Sequence, residues 1–186
     1  MKRLFDCTVA LICLVIFLLP LLLISMAVAM TSTGPIFYWS QRVGKNNQLF
    51  WMPKFRTMRI NTPTVATHLL DNPAQWLTPI GPMLRKTSLD ELPQLWSILM
   101  GHMSFVGPRP ALFNQQDLIE LRTQQGVHIL TPGLTGWAQI NGRDELPIPQ
   151  KVAFDFEYLE RQSFWFDIEI MMRTFLKVLK HQGVKH

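Results

Sequence analysis

Cysteine, tyrosine and negative charge are scarce in this chain. Its two cysteines, Cys7 and Cys13, both lie in one apolar stretch, where they act as small hydrophobes. A disulfide framework and a cysteine-based metal centre are thereby excluded. Five histidines (His68, His102, His128, His181, His186) are scattered without metal-ligand spacing. Only 13 acidic residues face 18 basic ones, a formal net charge of +5. That sign suits nucleic acid, anionic lipid or a phosphorylated substrate. The chain has no helix-turn-helix pattern, zinc-finger spacing or RNP-type aromatic motif, so nucleic acid is not the expected partner. No internal repeat is visible, which removes the solenoid architectures.

The longest absence is of charge itself: no charged residue lies between Asp6 and Arg42. From Cys7 to Met30 the chain is almost wholly apolar, and about 20 such residues suffice to cross a hydrocarbon core. Three arrangements compete. A cleaved signal peptide has support in Lys2-Arg3 and the small-residue stretch Ala27-Val28-Ala29, but the run is long for that role and Asp6 intrudes at its start. A single span would leave a basic flank on each side, Lys2-Arg3 on one and Arg42, Lys45, Lys54, Arg56 and Arg59 on the other, against the preference of cations for the cytoplasmic face. A re-entrant hairpin keeps both flanks together. Pro20, near the middle, lacks an N–H and clashes with the preceding turn, so it is the expected break. Charge alone leaves span and hairpin open.

The rest, roughly 155 residues, is the size of one domain. Ile36 to Val43 and Gln48 to Phe55 alternate around Gly44-Lys45-Asn46-Asn47 and predict a β-hairpin, with Pro53 marking an edge. Asn61 to Pro79 is polar and proline-rich, with a short helix expected around Ala66 to Leu70. Helices are expected over Leu92 to Met100, Leu112 to Gln125, Val152 to Arg161 and Phe164 to Lys180, the last capped by Ser163. Thr131 to Asp144 reads as a Gly-rich loop around a short strand.

The most informative segment is Leu84-Arg85-Lys86-Thr87-Ser88-Leu89-Asp90-Glu91-Leu92-Pro93-Gln94-Leu95. It sets two carboxylates beside two cations ahead of an apolar helix. A structural role is available: Ser88-x-x-Glu91 matches a capping box, and acidic residues suit a first helical turn. A chemical one is too. An ionised Asp needs no general base to act as a nucleophile, and the same pair can hold Mg²⁺. Arg85 and Lys86 then suit phosphate, the guanidinium best. Arg109, held between Pro108 and Pro110, is a second pre-organised cation. Arg143, after Asn141-Gly142, can serve phosphate or pair with Asp144 or Glu145. Thr135-Gly136 can form an anion nest or a plain turn. Arg42, Lys54 and Arg56 on the hairpin are expected to meet anionic lipid.

Four stretches, in order, carry a resemblance: Lys54-Phe55-Arg56-Thr57-Met58; Leu84 to Leu95; Gly101-His102-Met103-Ser104-Phe105-Val106-Gly107-Pro108-Arg109-Pro110; and Pro132-Gly133-Leu134-Thr135-Gly136-Trp137-Ala138-Gln139-Ile140-Asn141-Gly142-Arg143. Together they resemble the bacterial sugar transferases, small monotopic phosphoglycosyl transferases, from Lys2 to beyond Asp167. Long motifs in order are far more specific than any short pattern. The resemblance implies an α+β, mainly helical fold, with a re-entrant membrane helix-hairpin over residues 1–33 and a cytosolic catalytic domain over 34–186. It implies Asp90 as nucleophile on the β-phosphorus of a UDP-sugar, with release of UMP and transfer to polyprenyl (undecaprenyl) phosphate. Mg²⁺ is implied at Asp90 and Glu91, and Arg85, Lys86, Arg109, Thr135, Gly136 and Arg143 are the expected substrate contacts. The implied place is the bacterial inner membrane, with the site facing the cytoplasm. A homo-oligomer is compatible with all of this, and no residue reads as a selector of one sugar. Three positions depart from the usual family pattern: Leu19 for Ser, Ser97 for Asn and His102 for Asp. The competing expectation is a non-catalytic, membrane-anchored protein that binds phosphorylated lipid or nucleotide sugar.

Overall fold

Two apolar helices, α1 (Lys2–Ile16) and α2 (Leu18–Thr31), meet at Phe17 with a bend of 62°. The computed structural model describes residues 1–63, 72–142 and 146–179; the helix expected around Ala66 to Leu70 and the expected contact at Arg143 lie outside the described residues. Pro20 is the third residue of α2. Having no N–H, it cannot bond the carbonyl of Ile16, and its ring displaces that carbonyl. The break therefore falls one turn ahead of the proline, at Phe17, and not at Pro20 itself. Phe17 N–H donates to Cys13 O and Leu21 N–H to Phe17 O, both at 2.8 Å. The chain turns without needing a hydroxyl at Leu19. Among the described residues no single helix is long and apolar enough to cross a membrane.

The hairpin forms as the alternation predicts. Strands β1 (Phe37–Val43) and β2 (Leu49–Phe55) pair antiparallel, with Ser40 opposite Met52 and Trp39 opposite Pro53. Asn46 and Asn47 take positive φ in the turn, which Asn tolerates better than most residues. Helix α3 (Gly81–Thr87), a single 3₁₀ turn over Leu89–Glu91 and helix α4 (Gln94–Met100) follow. Then come β3 (Ser104–Val106), α5 (Gln116–Gln124), β4 (Gly133–Thr135), α6 (Trp137–Asn141), α7 (Ile148–Arg161) and α8 (Phe164–Leu179). Strands β3 and β4 pair in parallel, Ser104 with Gly133 and Val106 with Thr135. The architecture is mainly helical α+β, as expected.

Some boundaries differ from the sequence expectation, each for a local reason. Helix α5 starts at Gln116 because Leu112 is held extended by a bridge to Arg42. Helices α3 and α6, of seven and five residues, are too short to show a helical period. The Ser163 cap is present, its hydroxyl accepting from Phe166 N–H at 3.2 Å.

Among the described residues four apolar clusters join these pieces, one of them (Ala111, Leu118 and Val152) seating α5 on α7. Val106, Val127, Leu130, Trp137, Ile140, Tyr158, Phe166 and Ile170 bind β3 to α6, α7 and α8. Ala10, Phe50, Met52, Leu95, Ile98 and Met103 join α1 to α4 and the hairpin. Ile24, Val28, Phe55 and Leu84 join α2 to β2 and α3. Each large side chain buried this way contributes roughly 1.5–3 kcal/mol. Both arms of the bent pair are thus anchored to the elements on either side of Asp90 and Glu91.

Candidate active site

Ser88 takes a left-handed conformation (φ 57°, ψ 18°) at the end of α3 and makes no side-chain cap. The capping box does not form. The turn instead reverses the chain between two short helices and presents Asp90 and Glu91 at the reversal. Pro93 precedes α4, where its missing N–H costs nothing.

Asp90 is only 8% exposed. Among the described residues no donor hydrogen-bonds its carboxylate, although four charged groups act on it. Burial pushes its pKa above the ordinary carboxylate value; Lys54 works against that, Glu91 adds to it, and Arg85 and Arg109 lower it. The carboxylate is therefore desolvated and surrounded by cations, none of which is spent in a hydrogen bond to it.

Glu91 organises those cations. Its Oε1 accepts from Lys54 Nζ at 2.7 Å and from Arg109 Nη2 at 3.4 Å. Lys54 reaches it from the inward face of β2, Arg109 from the loop after β3. Arg85 comes from the last turn of α3, and its Nε donates to Thr57 Oγ1 at 3.0 Å. Burial draws the Arg85 guanidinium below its ordinary range, and the charge on Asp90 opposes that.

The Arg109 loop is set from behind. Arg122 Nη1 donates to the Arg109 carbonyl at 2.8 Å. Arg122 itself grips Asp155 Oδ2 through Nε and Nη2 at 3.0 and 2.6 Å, both residues being buried. Burial raises the Asp155 pKa while Arg122 lowers it. The loop also needs glycine: a Cβ on Gly133 would lie 2.1 Å from Gly107 N, and one on Gly136 would lie 2.2 Å from Gly107 O. The two Gly-containing motifs thus touch backbone to backbone, immediately beside Pro108-Arg109.

The three hairpin cations expected at anionic lipid are engaged within the protein instead. Lys54 is not a lipid contact; it is part of the carboxylate cluster. Arg56 is buried with Nη1 on Thr33 O at 2.8 Å, and Arg42 is tied to Ser40 Oγ and Pro110 O at 2.9 and 3.2 Å. Lys86 is exposed on α3 and is not among the charges acting on Asp90. Gly136 is extended (φ −174°, ψ 172°), so no anion nest forms there, and the Thr135 hydroxyl lies 2.7 Å from that of Thr174. Lys54, Thr57, Arg122 and Asp155 were missed by sequence reasoning as parts of the site. For Lys54 the signal was available: strand alternation places it on the same face as the buried Met52. Ser97 is buried in α4, and His102 lies exposed with its ring 5.7 Å from that of Phe50.

The residues present fit Mg²⁺ in one respect. This ion commonly binds one or two carboxylates and completes its shell with substrate phosphates and water. Asp90, without a hydrogen-bond partner among the described residues, supplies such a carboxylate. Glu91 Oε1 is already engaged by two cations.

Comparison with known proteins agrees in extent with the motifs. The model of the family described as bacterial sugar transferase matches residues 1–181. The uncharacterized sugar transferase EpsL of Bacillus subtilis (strain 168) is 39% identical over 192 residues, covering 100% of this chain and 90% of the relative. The UDP-glucose:undecaprenyl-phosphate glucose-1-phosphate transferase of Xanthomonas campestris pv. campestris is 41% identical, over 86% of this chain but only 35% of the relative. The undecaprenyl-phosphate galactose phosphotransferase of Salmonella typhimurium (strain LT2) is 36% identical, over 98% of this chain and 41% of the relative. The chain thus spans well under half of these last two relatives and nearly all of EpsL. A match that runs through every motif meeting at Asp90 identifies the chain as a member of the bacterial sugar transferase family.

Proposed function

We propose that this protein transfers a sugar-1-phosphate from a UDP-sugar to undecaprenyl phosphate, through a covalent intermediate on Asp90, at the cytoplasmic face of the bacterial inner membrane. The observation that carries this reading is the Asp90 carboxylate, buried and without a hydrogen-bond donor among the described residues, yet surrounded by Lys54, Arg85 and Arg109. The printed names of the Xanthomonas and Salmonella relatives supply the reaction class.

An Asp90 oxygen attacks the β-phosphorus of the donor. The bond from that phosphorus to the bridging oxygen breaks, and UMP leaves with the bridging oxygen. An oxygen of the polyprenyl phosphate then attacks the same phosphorus and displaces Asp90, giving a polyprenyl diphosphate sugar. Both steps are phosphoryl transfers, governed by in-line positioning and charge neutralisation. Lys54 and Arg109 hold positive charge beside the reacting phosphoryl oxygens, and Glu91 holds those two cations in place. Arg85, fixed by Thr57, is the third phosphate ligand. Mg²⁺ held by Asp90 and the donor diphosphate would supply further neutralisation of the leaving phosphate.

The bent helix pair fits re-entry. At 1.5 Å per residue, arms of 15 and 14 residues are roughly 22 and 21 Å long, short of a hydrocarbon core of about 30 Å. Re-entry returns Lys2-Arg3 and the basic residues after α2 to the face where nucleotide sugars reside.

UMP release by the purified protein with Mg²⁺, undecaprenyl phosphate and a panel of UDP-sugars tests the reaction. Sugar-selective release that is absent in Asp90→Asn supports it. Release that persists in Asp90→Asn contradicts the covalent step, and a folded protein silent with every donor points to a binding role.

A further inference from the structure

Three tryptophans far apart in sequence stand together on the outside of the molecule. Trp39, Trp51 and Trp96 are 50%, 57% and 52% exposed. With Leu49, Met100 and His102 they line an open groove of about 320 Å³. Trp39 and Trp51 occupy the outer face of the hairpin, whose other face buries Ser40, Phe50 and Met52. Trp96 and Met100 are one turn apart on α4. None of these side chains has a role in the carboxylate cluster, and no acidic side chain lines the groove.

The position of α4 indicates what covers this surface. The Arg3 guanidinium donates to the carbonyls of Ile98 and Leu99, at the C-terminal end of α4. Ala10, wholly buried, belongs to the same cluster as Leu95 and Ile98. Helix α4 therefore lies alongside α1 between Arg3 and Ala10, a length of roughly 10 Å at 1.5 Å per residue. Over and beyond that length α1 exposes Leu4, Leu11, Ile12, Val15 and Ile16. The groove lies next to the arm that enters the bilayer, not on the far side of the domain.

We infer that this groove is a lipid-docking surface, seated at the boundary between headgroups and acyl chains. The inference rests on the reading that α1 and α2 enter the bilayer. Indole suits that boundary because its ring is apolar and its N–H is a donor, and Trp concentrates there for this reason. The Arg3 guanidinium, 3.3 Å from where a Cβ on Gly101 would stand between the groove residues Met100 and His102, brings a cation beside it, the sign that anionic headgroups attract. A second copy of the chain is the competing occupant, but a stable interface takes about 800 Å² and roughly 20–30 residues from each partner, and only eight residues line this groove. The consequence is mechanistic. Helix α4 begins three residues after Glu91, so lipid seated on Trp96 and Met100 fixes the height of Asp90 relative to the phosphate of a lipid acceptor.

Spin-label depth measurement on the full chain tests this. Cys7 and Cys13 are changed to Ser, and nitroxides are placed singly through Trp39→Cys, Trp51→Cys and Trp96→Cys. Leu22→Cys reports the bent pair and Glu120→Cys the aqueous side. The protein is reconstituted in vesicles of phosphatidylcholine and phosphatidylglycerol, and collisions with oxygen and with a water-soluble nickel chelate are compared. The inference predicts an oxygen-to-nickel ratio severalfold higher at 39, 51 and 96 than at 120, approaching that at 22, and unchanged when excess lipid dilutes the protein. A high ratio at 22 with values like that of 120 at the three tryptophan positions overturns the groove assignment and leaves membrane entry intact. A low ratio at 22 as well removes membrane entry, and the groove assignment with it. Protection that disappears on dilution identifies a second copy and overturns the lipid assignment.

Discussion

Asp90 is placed at a cost to the fold. Its pKa is raised in the native state, chiefly by burial. The protonated carboxyl is thus the form the fold prefers. The stability gained through it is fully present below about pH 4, where the unfolded chain is also protonated, and is lost as pH rises through the raised native value. Wherever the carboxylate is ionised, its burial makes it a net burden on the fold. Asp90→Asn should therefore abolish turnover and raise the melting temperature, by about 2–4 °C for each kcal/mol relieved in a chain of this size. Thermal unfolding in detergent beside an activity assay checks both; a lower melting point would contradict the burial argument. Lys54 opposes the shift, so Lys54→Met should move the acid limb of kcat/KM to higher pH. It should also reduce the rate about 100-fold or more, the usual loss when one preorganised charge stabiliser is removed. A slower enzyme with an unmoved acid limb would place Lys54 elsewhere in the reaction.

At the scale of elements, the site depends on contacts between segments far apart in the chain. The Arg122–Asp155 pair joins α5 to α7 across 33 positions and holds the Arg109 carbonyl from behind. Removing one partner of a buried pair strands the other charge, at about 3–5 kcal/mol. Asp155→Ala should lower stability by that amount in denaturant unfolding and weaken donor binding through Arg109; a loss below about 1 kcal/mol would mean the pair is solvated. Such pairs also mark where the sequence stops being legible. The carboxylates, Arg85 and Arg109 were readable because each lies in a motif with its own local logic. Lys54 was misassigned because alternation says which strand residues share a face but not what covers that face. Arg122 and Asp155 each look like ordinary helical charges, since nothing local signals a partner several turns of chain away. The hairpin and the long helices α7 and α8 were legible from their periods, whereas α3 and α6 are too short to have one. The capping-box pattern at Ser88 was present in sequence, but a left-handed backbone turned it to another use.

At the scale of the whole molecule, the bent pair is fastened at its start as well as along its arms. Lys2 Nζ pairs with Asp167 Oδ2, and the same carboxylate accepts from Tyr158 OH at 2.7 Å, deep between α7 and α8. Burial and Asp167 together drive the Tyr158 pKa far upward, so this hydroxyl remains a donor throughout the working pH range. Phe5 stacks edge-on against Phe164 beside it. Tyr158→Phe leaves Asp167 short of a donor and should cost about 1–3 kcal/mol, loosening the seat of α1 before it disturbs Asp90. Limited proteolysis near the N-terminus, with donor-dependent UMP release measured in parallel, separates the two effects. Early loss of activity with α1 still seated would contradict that order.

The central claim is the covalent step at Asp90, and intact-protein mass spectrometry tests it most directly. The purified protein is given Mg²⁺ and its UDP-sugar without any acceptor, quenched, and weighed. The account predicts a mass increase of one sugar phosphate, mapped to the peptide carrying Asp90, lost on adding undecaprenyl phosphate and absent from Asp90→Asn. UMP release that strictly requires the acceptor, with no adduct on a rapidly quenched wild-type protein, would contradict it and point to direct transfer between the two substrates.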